Sequence, residues 1–195
     1  MRWDLLFDDL EARLEFEHEE QSRALAFESE RLRVNRTHLR DRILQFGQGD
    51  AVVQLVLPGE TRLGLTIDAH GRDWVSGRTG GSRGDEVIVR LDSIAAVIPS
   101  AAQLELGGAQ PSDAPGRLAE RISLPMVLRD LGRRRQPVRV LTIDGAFHGT
   151  FDRVGADHAD LALHDAGTAR RQQAVTGYRV LPLSRVIAVI FGGVG

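Results

Sequence analysis

The chain has no cysteine and no lysine: all 25 of its basic side chains are arginine, and asparagine occurs once, at Asn35. Lack of cysteine excludes disulfides, thiol nucleophiles and cysteine metal sites. Lack of lysine excludes Schiff-base chemistry and lysine-bearing phosphate loops. A GC-rich genome accounts for the arginine bias, as would selection for guanidinium forks that grip phosphate or carboxylate. Aromatic residues make up 5%, with Tyr178 the single tyrosine, so platforms for stacking bases are scarce. No apolar run approaches the ~20 residues a membrane helix needs. The opening residues, Met1-Arg-Trp-Asp-Leu-Leu-Phe-Asp-Asp, lack a signal peptide's apolar stretch. A cytoplasmic location is the expectation.

What is present is an ordinary globular composition, 42% apolar and 27% charged over 195 residues, enough for one or two modest domains. The net charge of −2 is uneven: residues 1–34 hold 5 arginines and 10 acids, the remainder 20 arginines and 17 acids. An acidic arm on a mildly basic body falls short of the clearly basic domain that nucleic-acid binding favours.

The dominant pattern is an internal repeat. Leu39-x-x-x-Ile43-x-x-Phe46-Gly47 returns 85 positions later as Leu124-x-x-x-Leu128-x-x-Leu131-Gly132. The same offset carries Val53, Leu55 and Gly64 onto Val138, Val140 and Gly149. At an offset of 92, Val89-Arg-Leu91-Asp-Ser-Ile94-Ala-Ala-Val97-Ile98 meets Leu181-Pro-Leu183-Ser-Arg-Val186-Ile-Ala-Val189-Ile190. Apolar positions and glycines recur while polar ones change, so what repeats is fold.

Four segments follow: an N-terminal amphipathic helix (1–35), a first copy (36–99), a linker rich in Ala, Gly, Pro and Ser (100–117), and a second copy (118–195). In the first segment Trp3, Phe7, Leu10 and Leu14 form an apolar stripe suited to docking on the body of the protein or on a second copy of the helix. Each copy begins with a short helix, its inward positions Leu39, Ile43, Leu44 and Phe46 in copy one. Five strands of period two then follow, and the Asp144-Gly145 turn is a strong hairpin signal. Five short antiparallel strands in about 60 residues make an open sheet too small for a core, so the expectation is a closed barrel bent at Gly64 and Gly149.

The order helix, three-strand meander, variable loop, fourth strand, tight corner and fifth strand resembles the Sm-like family (the LSm and Hfq type). The likeness rests on Gly64, on Val87-Ile-Val89-Arg-Leu91-Asp-Ser-Ile94-Ala-Ala-Val97-Ile-Pro99, and on the matching stretch from Tyr178 to Val189. Related SH3-like small barrels share much of it. The corners Leu91-Asp92-Ser93 and Leu183-Ser184-Arg185 carry neither an arginine-glycine pair nor the basic-histidine pair of Hfq, so the resemblance implies the barrel and carries over no RNA site. The opening Arg2-Trp3-Asp4-x-Leu6-Phe7 is also similar to that of uncharacterised actinobacterial proteins. The expected fold is therefore mainly β with α: a long N-terminal helix and two tandem five-stranded barrels, each preceded by a short helix.

Candidate chemistry is sparse. His158, Asp160 and His164 share one strand face and offer metal-ligand types, but the opposite face, Leu161 and Leu163, is the core side, which leaves them solvated. His70, Arg72 and Asp73 gather at a turn beside Trp74 without a nucleophile. Arg133, Arg134, Arg135 and Arg139, with Arg170 and Arg171, could form a phosphate-binding face, as could Arg72, Arg78 and Arg83 near the glycine-rich loop. The expected function is a non-enzymatic interaction or regulatory module that self-associates or binds a protein partner. It would need no cofactor and no metal. RNA binding through the arginines is the alternative.

Overall fold

The structure, a computed structural model, describes residues 37–80, 84–105, 116–165 and 175–192. The expected long helix, with Trp3, Phe7, Leu10 and Leu14, lies outside them, as do Arg83, Arg170 and Arg171. The residues from Leu39 onwards form one unit.

Copy one contributes α1 (Leu39–Phe46), then strands β1 (Val52–Leu57), β2 (Thr61–His70), β3 (Trp74–Arg78), β4 (Glu86–Arg90) and β5 (Ala96–Ile98). Two short helices, α2 (Ala101–Glu105) and α3 (Gly116–Ala119), lie between the copies. Copy two supplies α4 (Leu124–Arg133) and strands β6 (Val138–Thr142), β7 (Gly145–Val154), β8 (His158–Leu163), β9 (Gly177–Pro182) and β10 (Val186–Phe191). One-turn 3₁₀ corners at Leu91–Ser93 and Leu183–Arg185 join the last two strands of each copy.

The strands follow the predicted order, but two closed barrels do not form. All ten belong to a single antiparallel sheet, in the order β5-β1-β2-β3-β4-β10-β6-β7-β8-β9. Closing each copy would require β5 to pair β4, and β10 to pair β9. Instead β4 and β10 pair with each other, Ala188 opposite Val89, Val189 opposite Ile88 and Ile190 opposite Val87. One cross-copy pairing thus covers two edges at once, and the sheet stays open at β5 and β9.

The two cores interlock across this junction. Ile88, carried by copy one, packs among Leu124, Leu128, Val140, Phe151 and Leu161 of copy two, as does Trp74. In exchange, Ile187 and Ala188 of β10 lie in the core of copy one with Ile43, Leu55 and Val89. The Ser93 hydroxyl lies between two carbonyl acceptors, Arg90 of its own copy at 2.6 Å and Ile187 across the junction at 3.0 Å.

Strand registers refine the repeat. β1 sets Val53 opposite Leu65, whereas β6 sets Val138 opposite Gly149. Gly149 therefore stands where copy one has Leu65, and the offset in this strand is 84. Bulges at Asp68 and Asp152, between Ile67 and Ala69 and between Phe151 and Arg153, coincide on this alignment. A Cβ on Gly149 would run into the Ala162 carbonyl oxygen of β8, so glycine is required there. On Gly64 it would meet only the side-chain ends of Gln54 and Val52, so Gly64 is not an equivalent bend point.

The expected linker is partly structured. Ser100 caps α2 by accepting from the Gln103 backbone N–H at 3.3 Å, and the Gln103 side-chain oxygen accepts from the Ser100 N–H at 2.8 Å. This is a reciprocal capping box. The Gln103 amide then donates to the carbonyls of Phe46 (2.8 Å) and Val52 (3.2 Å), tying α2 to the end of α1 and the start of β1.

Candidate interaction surface

The sheet presents two edges whose outer side pairs with no described strand, β5 and β9. The repeat shows what each lacks. β9 is the counterpart of β4: β8 sets Ala159 opposite Leu181 and Asp160 opposite Val180, as β3 sets Val75 opposite Val89 and Ser76 opposite Ile88. Ile88 is 2% exposed and its counterpart Val180 is 66% exposed. Tyr178, one step along the same face, is 62% exposed. A sheet edge carrying a large aliphatic and an aromatic side chain in water has the chemistry that strand addition uses.

The turn before β3 also works at the junction. Gly71 N–H donates to the Trp74 carbonyl at 2.9 Å, which folds residues 71–74 tightly. Asp73 Oδ1 then accepts from the Leu124 N–H at 2.8 Å, at the first residue of α4. Ser123, at the N-cap position, makes no side-chain cap, so the Asp73 carboxylate from the other copy serves instead. The Trp74 indole donates to the Ile122 carbonyl at 3.1 Å, and Arg72 N–H to the same carbonyl at 2.9 Å. A side chain at position 71 would run into both the indole nitrogen and the Ile122 carbonyl. Residues 71–74 are thus a clasp between copies.

Copy two repeats the clasp without a described occupant. Gly155 N–H donates to the His158 carbonyl at 2.8 Å, and Leu183 N–H to Asp157 O at 2.7 Å, as Leu91 N–H does to Asp73 O at 3.0 Å. Gly155, Asp157 and His158 therefore correspond to Gly71, Asp73 and Trp74. The Asp157 carboxylate is exposed and bonds His158 Nδ1 at 2.8 Å. That hydrogen bond, followed by the imidazole's charge, lowers the Asp157 pKa.

The possible metal ligands do not converge. His158 is exposed, whereas His164 lies beyond the end of β8 and is buried. Its Nδ1 faces the Asp165 carbonyl at 3.1 Å, which only accepts, and its Nε2 meets Thr150 Oγ1 at 2.8 Å. Both ring nitrogens are engaged, leaving none for a metal. Among the described residues no group of three or more His, Asp or Glu could hold an ion.

The arginines are dispersed in their engagements. Arg78 forms a two-pronged pair with Asp68, both contacts at 2.9 Å, and Arg134 pairs with Asp130 at 2.8 Å. Arg72 at the clasp, Arg133 and Arg135 at the end of α4, and Arg139 on β6 are exposed and form no ion pair among the described residues. The signal that sequence reasoning missed was Gly-x-Asp, present at 71–73 and again at 155–157.

No family model, no curated protein and no solved structure matches the chain. Among the described residues no helix is long and apolar enough to cross a membrane.

Proposed function

We propose that this chain is a non-enzymatic interaction module of the cytoplasm that binds protein by adding a strand at its β9 edge. The carrying observation is the contrast between equivalent positions: Ile88 is buried where β4 pairs with β10, and Val180 is exposed with no described strand beside it. The β4–β10 junction supplies the model for the bound state. Main-chain hydrogen bonds give affinity there, and the apolar side chains set register. The test uses a fluorescent peptide with the β10 sequence, Val186–Phe191, flanked by charged residues for solubility. Saturable binding in anisotropy titration, abolished by Val180→Lys, is the expected result. Absence of binding at millimolar peptide would remove the reading.

A second reading, RNA contact through Arg72, Arg133, Arg135 and Arg139, rests on the exposure of those guanidinium groups, which form no ion pair among the described residues. It requires affinity for mixed RNA that falls with added salt and is lost in the combined alanine variant. Undetectable RNA binding at low salt excludes it.

A further inference from the structure

From the edge-docking reading, on which this rests, we infer that the partner is a second copy of this chain, bound head to tail. β9 of one copy pairs antiparallel with β5 of the next, Leu181 opposite Ala96, Val180 opposite Val97 and Arg179 opposite Ile98.

The register comes from the molecule itself. β5 and β10 carry the same tripeptide, Ala96-Val97-Ile98 and Ala188-Val189-Ile190. Both lie against the first strand of their own copy in the same frame: Val97 opposite Leu55, and Val189 opposite Val140. β10 uses its other side to take β4, with Val189 opposite Ile88. The corresponding side of β5 has no described strand, and Ile98 is 42% exposed. Transferring the β4–β10 frame onto the free ends sets Val180 against Val97 and carries it toward the core of the next copy's first half.

A second, independent correspondence points to the same partner. Leu124, at the start of α4, is 2% exposed beneath the Trp74 clasp, whereas its counterpart Leu39, at the start of α1, is 47% exposed. Head-to-tail docking sets the unused clasp of copy two, Asp157 and His158, over Leu39 of the next copy. Asp157 then caps the Leu39 N–H as Asp73 caps that of Leu124. Thus exposed positions on both sides of the missing junction, Val180 and His158 on one and Ile98 and Leu39 on the other, are explained by one operation.

The external junction is weaker than the internal one. Pro182 stands in the place of Arg90 and Pro99 in that of Phe191, so the ladder is held to three residues. Arg185 replaces Ser93, and with it goes the buried bond to a strand carbonyl. Association is therefore reversible and concentration-dependent. Because the two surfaces differ, it closes into a ring or grows as a filament according to the rotation between copies.

Sedimentation velocity and light scattering across protein concentration test this on the full chain. The mass should rise with concentration, and Val180→Lys and Ile98→Lys should each be monomeric. Both sites are exposed, so folding is retained, checked by circular dichroism and urea melting. Mixing the two variants should restore a 1:1 dimer that grows no further, since each keeps one intact end. Asp157→Ala should weaken association about two- to thirtyfold without changing monomer stability. A dimer of Ile98→Lys alone would mean β9 pairs with β9 and would overturn the head-to-tail arrangement. A wild-type monomer at every concentration would overturn self-association. Peptide binding at β9 would then still decide the edge-docking reading separately.

Discussion

Ile88 and Val180 occupy equivalent positions, so replacing each by alanine separates the contribution of the junction from that of the residue. Ile88→Ala removes three carbons from a site 2% exposed. At ~0.8 kcal/mol per buried carbon this costs about 2.4 kcal/mol. The space left between the two cores raises the loss to about 3–4 kcal/mol, within the ~2–5 range for such truncations. For a unit of this size, ~2–4 °C per kcal/mol predicts a fall in melting temperature of roughly 6–16 °C. Val180→Ala removes two carbons from a side chain 66% exposed and should change stability by less than ~0.5 kcal/mol. Urea unfolding at low protein concentration, followed by circular dichroism and tryptophan fluorescence, measures both. Ile88 belongs to copy one but packs in the core of copy two, so its loss should move one shared transition. Equal losses at the two sites would refute the contribution assigned to the junction. Two transitions, only one of them shifted, would refute the interlocked cores.

Two further outcomes follow from named contacts. Asp73→Ala removes the carboxylate that caps α4 and should cost about 1 kcal/mol in the same urea assay, whereas Asp157→Ala costs nothing measurable in the dilute monomer; a neutral Asp73→Ala would show the cap to be idle. His70 gives the unit a pH dependence. Burial first, then the Arg40 charge, hold its pKa below the ordinary 6.5, with Glu120 and Asp41 opposing, and its Nδ1 is buried with no hydrogen-bond partner among the described residues. The unfolded chain binds this proton more readily, so the contribution is fully present above about pH 6.5 and is lost as pH falls through and below it. Thermal melts between about pH 7.5 and 5.5 should show the decline. His70→Gln should flatten it, and an unchanged slope would assign the decline elsewhere.

The ten strands were legible because alternation and turn residues are local signals. Val53, Leu55 and Leu57 against Gln54 and Val56 state which face is buried, and Asp144-Gly145 states where the chain reverses. Closure was not legible in the same way, because period two reports faces and says little about edges. The relevant signal was the absence of alternation: Val87-Ile88-Val89 and Val186-Ile187-Ala188-Val189 are apolar on both faces, and all are buried. Such runs mark strands covered on both faces, which the centre of a ten-stranded sheet requires and a barrel with a wet outer face does not. The Ser100-x-x-Gln103 capping box was equally readable within the supposed linker, but the small residues around it masked it. Leu39 was expected inward from helical spacing alone, and spacing cannot tell a core from a missing partner.

That distinction governs the candidate site. Selection for a core acts on whichever positions are covered, so a repeat whose copies were used alike would keep the same apolar positions in both. At the edges it keeps Val180 in the place of Ile88, and Leu39 in the place of Leu124, with Val97 and Ile98 matching Val189 and Ile190. It changes the rest: Arg179 for Val87, His158 for Trp74, Arg185 for Ser93. Retained apolar groups beside polar replacements are the composition of a surface that is dry in one state and wet in another. A permanently buried edge would keep Trp74 and Ser93 in both copies. A permanently free edge would have no use for Val180, Ile98 and Leu39 together. Under the proposed head-to-tail docking the mixture belongs to a junction that opens and closes, with the internal β4–β10 pairing as its permanent form.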